Sequence, residues 1–167
     1  MSSTDPGPIV DMDHLDDHLD DHLDDHLDAR IVEQMAEALI FADRQGVIGR
    51  WNRAAAELFG YAGEQALGQS LDLIIPPPLR QAHWRGFDAA MAQGRTRLGG
   101  RPTVTRAQHA DGRRLYVEMS FALVCDDAGA PLGSVAVARD VTARVEREKA
   151  AAAAAVAAGP AAPAKTP

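Results

Sequence analysis

From Arg113 to Val124 the chain alternates: Leu115, Val117, Met119, Phe121 and Leu123 are separated by Tyr116, Glu118 and Ser120. A period of two sends successive side chains to opposite faces, so this is a strand buried on one side and wet on the other. Two turns bound it, Asp111-Gly112 and Asp126-Asp127-Ala128-Gly129. Beyond them, Thr103–His109 and Leu132–Arg139 read as further strands.

The first part of the fold has the same texture. Ala38-Leu39-Ile40-Phe41-Ala42, the turn Asp43-Arg44-Gln45-Gly46 and Val47-Ile48-Gly49-Arg50-Trp51 form a hairpin. Asn52 is placed to cap the helix Arg53–Phe59, because its side-chain oxygen accepts from free first-turn amides, and Gly60 stops that helix. Gln65–Ile75 reads as short helical turns. After Pro76-Pro77-Pro78 comes a longer helix, about Leu79 to Gln93, closed by Gly94. The order is therefore strand, strand, helices, strand, strand, strand, in a chain whose 167 residues suffice for one domain with extensions. Trp51 reads as a packing aromatic and His109 as an exposed residue beside its turn.

The extensions differ in kind. Asp-His-Leu-Asp occurs four times without a break from Asp13 to Asp28, and residues 1–29 hold ten Asp and no Lys or Arg. On a helix, His14, His18, His22 and His26 would form one stripe. Leu15, Leu19, Leu23 and Leu27 lie beside it and continue to Ile31 and Met35. Asp is a weak helix former and the like charges repel, so partial order is expected. An acidic low-complexity tail and a divalent-metal site on the i, i+4 histidines are both compatible with this pattern. At the other end, Ala143–Lys149 and the alanines to about Ala158 extend a helix, and Gly159-Pro160 ends it before a disordered tail. The expected division is an acidic tail and flanking helix over 1–36, a folded domain over 37–142, and a helix with an Ala/Pro-rich tail over 143–167.

Charge and cysteine usage narrow the function. The formal net charge of −7 resides in the tail, since the rest of the chain carries 17 basic against 14 acidic residues. With a pI near 5.3 and no helix-turn-helix segment, nucleic acid is not an expected partner. The six arginines from Arg95 to Arg114, with only Asp111 among them, read as a solvated face. A single cysteine, Cys125, excludes an intrachain disulfide framework, and no apolar run approaches the ~18 residues of a membrane span. A cytoplasmic location without membrane association is expected. No Ser–His–carboxylate arrangement or phosphate-cradling loop is present, so the expectation is not an enzyme.

The run ALIFADRQGVIGRWNRAAAELFGY, the turn AGEQALGQ, LIIP before the long helix, ADGRRLYVEMSFALV and the closing GSVAVARDVTAR resemble the PAS sensor domains over roughly Glu37 to Arg144. The resemblance implies an α+β PAS fold: a five-stranded antiparallel sheet, helices packed on one face, flanking N- and C-terminal helices, and a cavity between sheet and long helix. It also implies a signal exit at Asp140, Val141 and Thr142. By helical spacing Leu79, His83, Phe87, Ala90 and Met91 share a face, which puts His83 on an apolar stripe. Burying an unpaired polar group costs on the order of 1–3 kcal/mol, so that ring needs a hydrogen bond, a polar guest or a metal.

The stretch PPPLRQAHWRGFDAAMAQG is similar to the helix of oxygen-sensing haem PAS kinases that bears the proximal iron ligand, a role that falls on His83. A ring of haem's size needs an apolar slot and cations for two propionates, which Leu79, Phe87, Met91, Leu115, Val117, Met119 and Phe121 on the one hand and Arg95, Arg97 and Arg101 on the other are expected to supply. The family's distal arginine, counted back from the Asp-Gly turn, falls at Thr103; Arg101 lies two positions earlier, about 6–7 Å along the strand. The other reading is a core histidine bonded to a carbonyl or water. Light-sensing relatives carry a reactive cysteine before the long helix, and Gly68–Pro76 has none, so photoadduct chemistry is excluded, while non-covalent flavin or another small ligand stays open. The expected function is a stand-alone sensory or signalling module of this type, a homodimer through Leu15–Met35 and Val141–Val145, that senses a diatomic gas or redox state. It would relay to a separate protein such as a histidine kinase or regulator. The alternative is a ligand-free dimerisation and protein-interaction scaffold whose pocket is filled by Phe87, Met91 and Phe121.

Overall fold

The computed structural model describes residues 26–158. A first helix, α1, covers residues 26–34. It is followed by β1 (Ala38–Asp43), β2 (Ile48–Trp51), α2 (Arg53–Phe59), α3 (Gly63–Ala66), a 3-10 turn (Leu71–Leu73) and α4 (Pro77–Gln93). Then come β3 (Thr103–Gln108), β4 (Arg114–Cys125), β5 (Pro131–Asp140) and α5 (Thr142–Ala158). The strands form one antiparallel sheet in the order β2-β1-β5-β4-β3. The expected architecture is present, and no described helix is long and apolar enough to cross a membrane.

The hairpin closes through Asp43, whose Oδ1 accepts from the amides of Gln45 and Val47, each at 2.9 Å. Gly46 turns the chain at φ 75°. The long helix starts two residues earlier than the sequence suggests. Pro77 and Pro78 occupy its first turn, where the missing N–H has no partner to lose.

In β4, Leu115, Val117 and Met119 are buried on the face that β5 and β1 continue with Ala136, Ala138, Ala38 and Ile40. Small residues at the centre of the sheet leave depth for the aromatics that sit on it. Phe59 of α2 is fully buried, Phe87 of α4 is buried, and Trp51 lies 5.4 Å from Phe59 with its indole N–H on the Tyr61 carbonyl. Trp51 packs, as its strand position suggests.

Asn52 ties the layers together. Its Oδ1 accepts from the amides of Leu39 and Ala55, and its Nδ2 donates to the carbonyls of Val32 and Glu37. One buried amide thereby caps α2, fixes the start of β1 and holds α1 to the domain.

The opposite face of the sheet receives α5. Thr142 Oγ1 accepts from the Tyr116 amide at 2.9 Å, the Val141 amide donates to the Tyr116 carbonyl at 2.9 Å, and Asp140 Oδ1 accepts from the Thr142 amide at 2.7 Å. Arg144 pairs with Glu118 at 2.9 Å. Asp140-Val141-Thr142 is thus a bonded joint between β5, β4 and α5.

Two expectations are corrected here. His109 is not exposed: its side chain keeps only 14% of its surface, with Nδ1 3.0 Å from Asp111 Oδ1. The ring lies over Gly60, where a Cβ would sit 2.4 Å from His109 Cε1, so the glycine that stops α2 also makes room for the imidazole. Val141 is buried in its own domain, so its side chain is not free to meet a second copy. The repeat residues His14, His18 and His22, with Leu15, Leu19 and Leu23, lie outside the described residues, as does the tail after Ala158. Leu27 and Ile31 of α1 are each 54% exposed.

Candidate functional site

The helical register carries His83 inward. Its Nε2 is buried and has no hydrogen-bond partner, alone in this among the buried side-chain polar atoms of the described residues. The imidazole stacks on Phe87 with centroids 6.0 Å apart and meets Trp84 edge-on at 5.0 Å. Burial holds its pKa below the ordinary 6.5, against the opposing pull of Asp72 and Asp88.

The neighbourhood is held in place by Trp84 and Arg80, whose roles the sequence did not reveal. Trp84 Nε1 donates to Asp72 Oδ1 at 2.9 Å, and Arg80 donates to the carbonyls of Ile75 and Asp72. The Trp84 ring lies so close to Gly46 that a Cβ there would fall 2.3 Å from Cη2. Asp72 thereby pins the start of α4 to the 3-10 turn.

Phe87, Leu115, Val117 and Met119 belong to one buried cluster, against which Trp84, Met91 and Phe121 pack. The structure brings these together on the His83 side of the sheet. Leu79 is placed elsewhere: it is half-buried and borders a surface groove with Val104, Tyr116 and Val145, because the first turn of α4 overhangs the edge strand β3. Arg101 is also set apart. It is exposed in a loop that turns at Gly99 and Gly100, φ 55° and 78°, and its Nε donates to the Leu98 carbonyl at 3.3 Å. Arg95 and Arg97 are exposed on the same loop.

The donor chemistry fits the haem that the resemblance implies. A histidine that holds haem iron must be neutral, with a free lone pair in an apolar setting, and the unpartnered, desolvated Nε2 of His83 has those properties. Among the described residues no three His, Cys, Asp or Glu side chains converge, so a protein-only metal cage is absent from them.

The depressed pKa gives a pH dependence for the haem-free chain. The unfolded chain takes a proton on His83 near 6.5 and the folded chain only at lower pH, so in between the unfolded state binds more protons. Stability is fully present above about pH 6.5 and falls as the pH drops below it. Urea unfolding of wild type and His83→Gln between about pH 7.5 and 5 should show a shallower loss in the variant. Equal slopes would mean that the ring titrates as if in water.

A family model described as PAS fold matches residues 32–146. The chain is 25% identical over 118 residues to Oxygen sensor protein DosP of Escherichia coli (strain K12), covering 71% of this chain and 14% of that protein. It is 34% identical over 53 residues to Sensor protein FixL of Bradyrhizobium diazoefficiens, covering 32% of this chain and 10% of that protein. The chain thus spans a small part of the curated relatives it matches. Among solved structures, the PAS domain of a protein from Colwellia psychrerythraea superposes with a TM-score of 0.62 at 24% identity, over 70% of this chain and 96% of that one. The sheet order, the helices over its apolar face and the match across 32–146 lead to one assignment: the chain belongs to the PAS fold family.

Proposed function

We propose that the domain, bounded at about 37 and 142, is a sensory module that holds haem through His83 and reports a diatomic gas or redox state to a separate signalling protein such as a histidine kinase. The observation that carries this reading is the buried, unpartnered Nε2 of His83 facing an apolar cluster. The likeness to an oxygen sensor protein and to a second sensor protein supports it.

Haem supplies an iron centre that binds a diatomic gas and changes oxidation state. The chain's own residues do the rest. His83 would hold the iron through its Nε2. Phe87, Met91, Leu115, Val117, Met119 and Phe121 would exclude water from it, and the propionates would have to reach the exposed loop for the cations Arg95, Arg97 and Arg101. The joint at Asp140, Val141 and Thr142 couples the sheet to α5 through Tyr116, and a second copy would meet α1 on Leu27 and Ile31. The reading contains no catalytic step.

A ligand-free interaction scaffold is the second reading. It is favoured by the close packing of Phe87 and Trp84 on the imidazole, and neither of two surface grooves is lined by His83. Expression with haem supply separates the two. A Soret band in wild type that disappears in His83→Ala is the expected result, with most of the bound haem lost. A colourless wild type after haem reconstitution decides for the scaffold.

A further inference from the structure

Of the six arginines from Arg95 to Arg114, Arg106 lines a groove at the edge of the sheet. A groove of about 460 Å³ runs between the first turn of α4, the edge strand β3 and the root of α5. Leu79, Val104 and Val145 give it an apolar lining, and Val104 is 44% exposed. Arg106 and Lys149 also line it. Lys149 Nζ hydrogen-bonds the Tyr116 hydroxyl and stands 4.1 Å from the ring centroid. That bond, followed by one from Arg114, draws the Tyr116 pKa below its ordinary value. Among the described residues, none of Arg106, Arg114 and Lys149 is paired with a carboxylate.

Uncompensated cations beside an apolar lining select an occupant that is acidic and greasy at once. A free inorganic anion satisfies only half of that description. The chain contains such a segment: each Asp-His-Leu-Asp unit supplies two carboxylates and a leucine, and residues 1–29 hold no Lys or Arg to oppose docking. Reach is sufficient. From residue 13 to the start of α1 at residue 26 the chain can extend up to about 40 Å, whereas a domain of this size has a radius of gyration of only about 13 Å.

We propose that the groove between β3 and α5 is the docking site of the chain's own Asp-His-Leu-Asp repeat. Docked there, the repeat covers the open edge of the sheet and braces α5 against Tyr116, the residue that also receives the joint at Val141 and Thr142. The repeat then acts as a built-in brake on movement of α5. This does not depend on haem.

The test uses the full chain and reads amide hydrogen exchange in β3 and the first turns of α5. One variant replaces Asp16, Asp17, Asp20, Asp21, Asp24 and Asp25 with Asn; another is Arg106→Glu with Lys149→Glu, both at exposed positions. Each should speed exchange there about tenfold, with no further gain when the two are combined. Raising salt from about 0.05 to 0.5 M should do the same to wild type. Asp16, Asp20 and Asp24 changed to Lys in the Arg106→Glu, Lys149→Glu background should restore protection. Unchanged exchange in either variant overturns the proposal. So does additivity, protection that grows with protein concentration and hence comes from a second copy, or protection that inorganic phosphate supplies equally to the Asp→Asn chain.

Discussion

Asn52→Ala is expected to lower the unfolding free energy by about 3–4 kcal/mol, and the melting temperature by roughly 10 °C. The side chain is 1% exposed and makes hydrogen bonds to Leu39, Ala55, Val32 and Glu37. Truncation leaves the Leu39 amide and two carbonyls without their partner in a place water reaches poorly. Each such group costs on the order of 1–3 kcal/mol, with relaxation recovering part of the sum. Loss of the cap alone would cost only about 1 kcal/mol. Asn52→Asp separates the contributions: it keeps the two acceptor bonds but turns a negative oxygen toward the carbonyls of Val32 and Glu37, so it should be at least as damaging as alanine. Urea titration gives the magnitude, and hydrogen exchange in α1 should rise with it. A loss below about 1 kcal/mol for Asn52→Ala would show that the residue is only a cap.

Gly133→Ala should be comparably severe, for a reason of space and not of backbone conformation. Gly133 sits in β5 between Asp43 of β1 and Val124 of β4. A Cβ there would lie 2.2 Å from the Ala42 carbonyl oxygen and 2.8 Å from two carbons of the Phe41 ring. The ring can rotate away, but a carbonyl paired inside the sheet cannot. Overpacking costs about 1–3 kcal/mol when side chains can yield, and here the obstacle is backbone, so a loss of at least about 3 kcal/mol is expected. Calorimetry of Gly133→Ala against Gly49→Ala, whose nearest Phe41 contact would be 3.3 Å, checks this. Equal melting temperatures would show that the two central strands separate easily.

Much of this fold is legible in the sequence because its signals are local. Alternation in β4, the Asp-Gly turns and the Asn52–Gly60 bracket around α2 each act within about ten residues, and the structure reproduces them. The inward register of His83 is legible for the same reason, since i, i+4 spacing determines which face it shares with Phe87. The long-range part is not legible. Three of the four Asn52 bonds reach 13, 15 and 20 positions along the chain, so a residue recognised as a helix cap proves to be the tie between α1, β1 and α2. His109 was misplaced because its cover comes from Gly60, in another element. Leu79 and Arg101 fell outside the His83 cluster because one lies past the edge of the sheet and the other in a loop whose path two glycines set.

The order of strands also has a consequence for how the molecule is made. The middle of the sheet joins β1 to β5, pairing Ala38 with Ala138, so the first strand to leave the ribosome waits for the last before its second ladder can form. The hairpin β1–β2 and the hairpins of β3, β4 and β5 can assemble separately, but closure between them spans almost the entire domain. Such distant pairing slows folding relative to local contacts and leaves the half-made sheet with an unfilled gap during synthesis. A chaperone would find its substrate there, on the bare edge of β1.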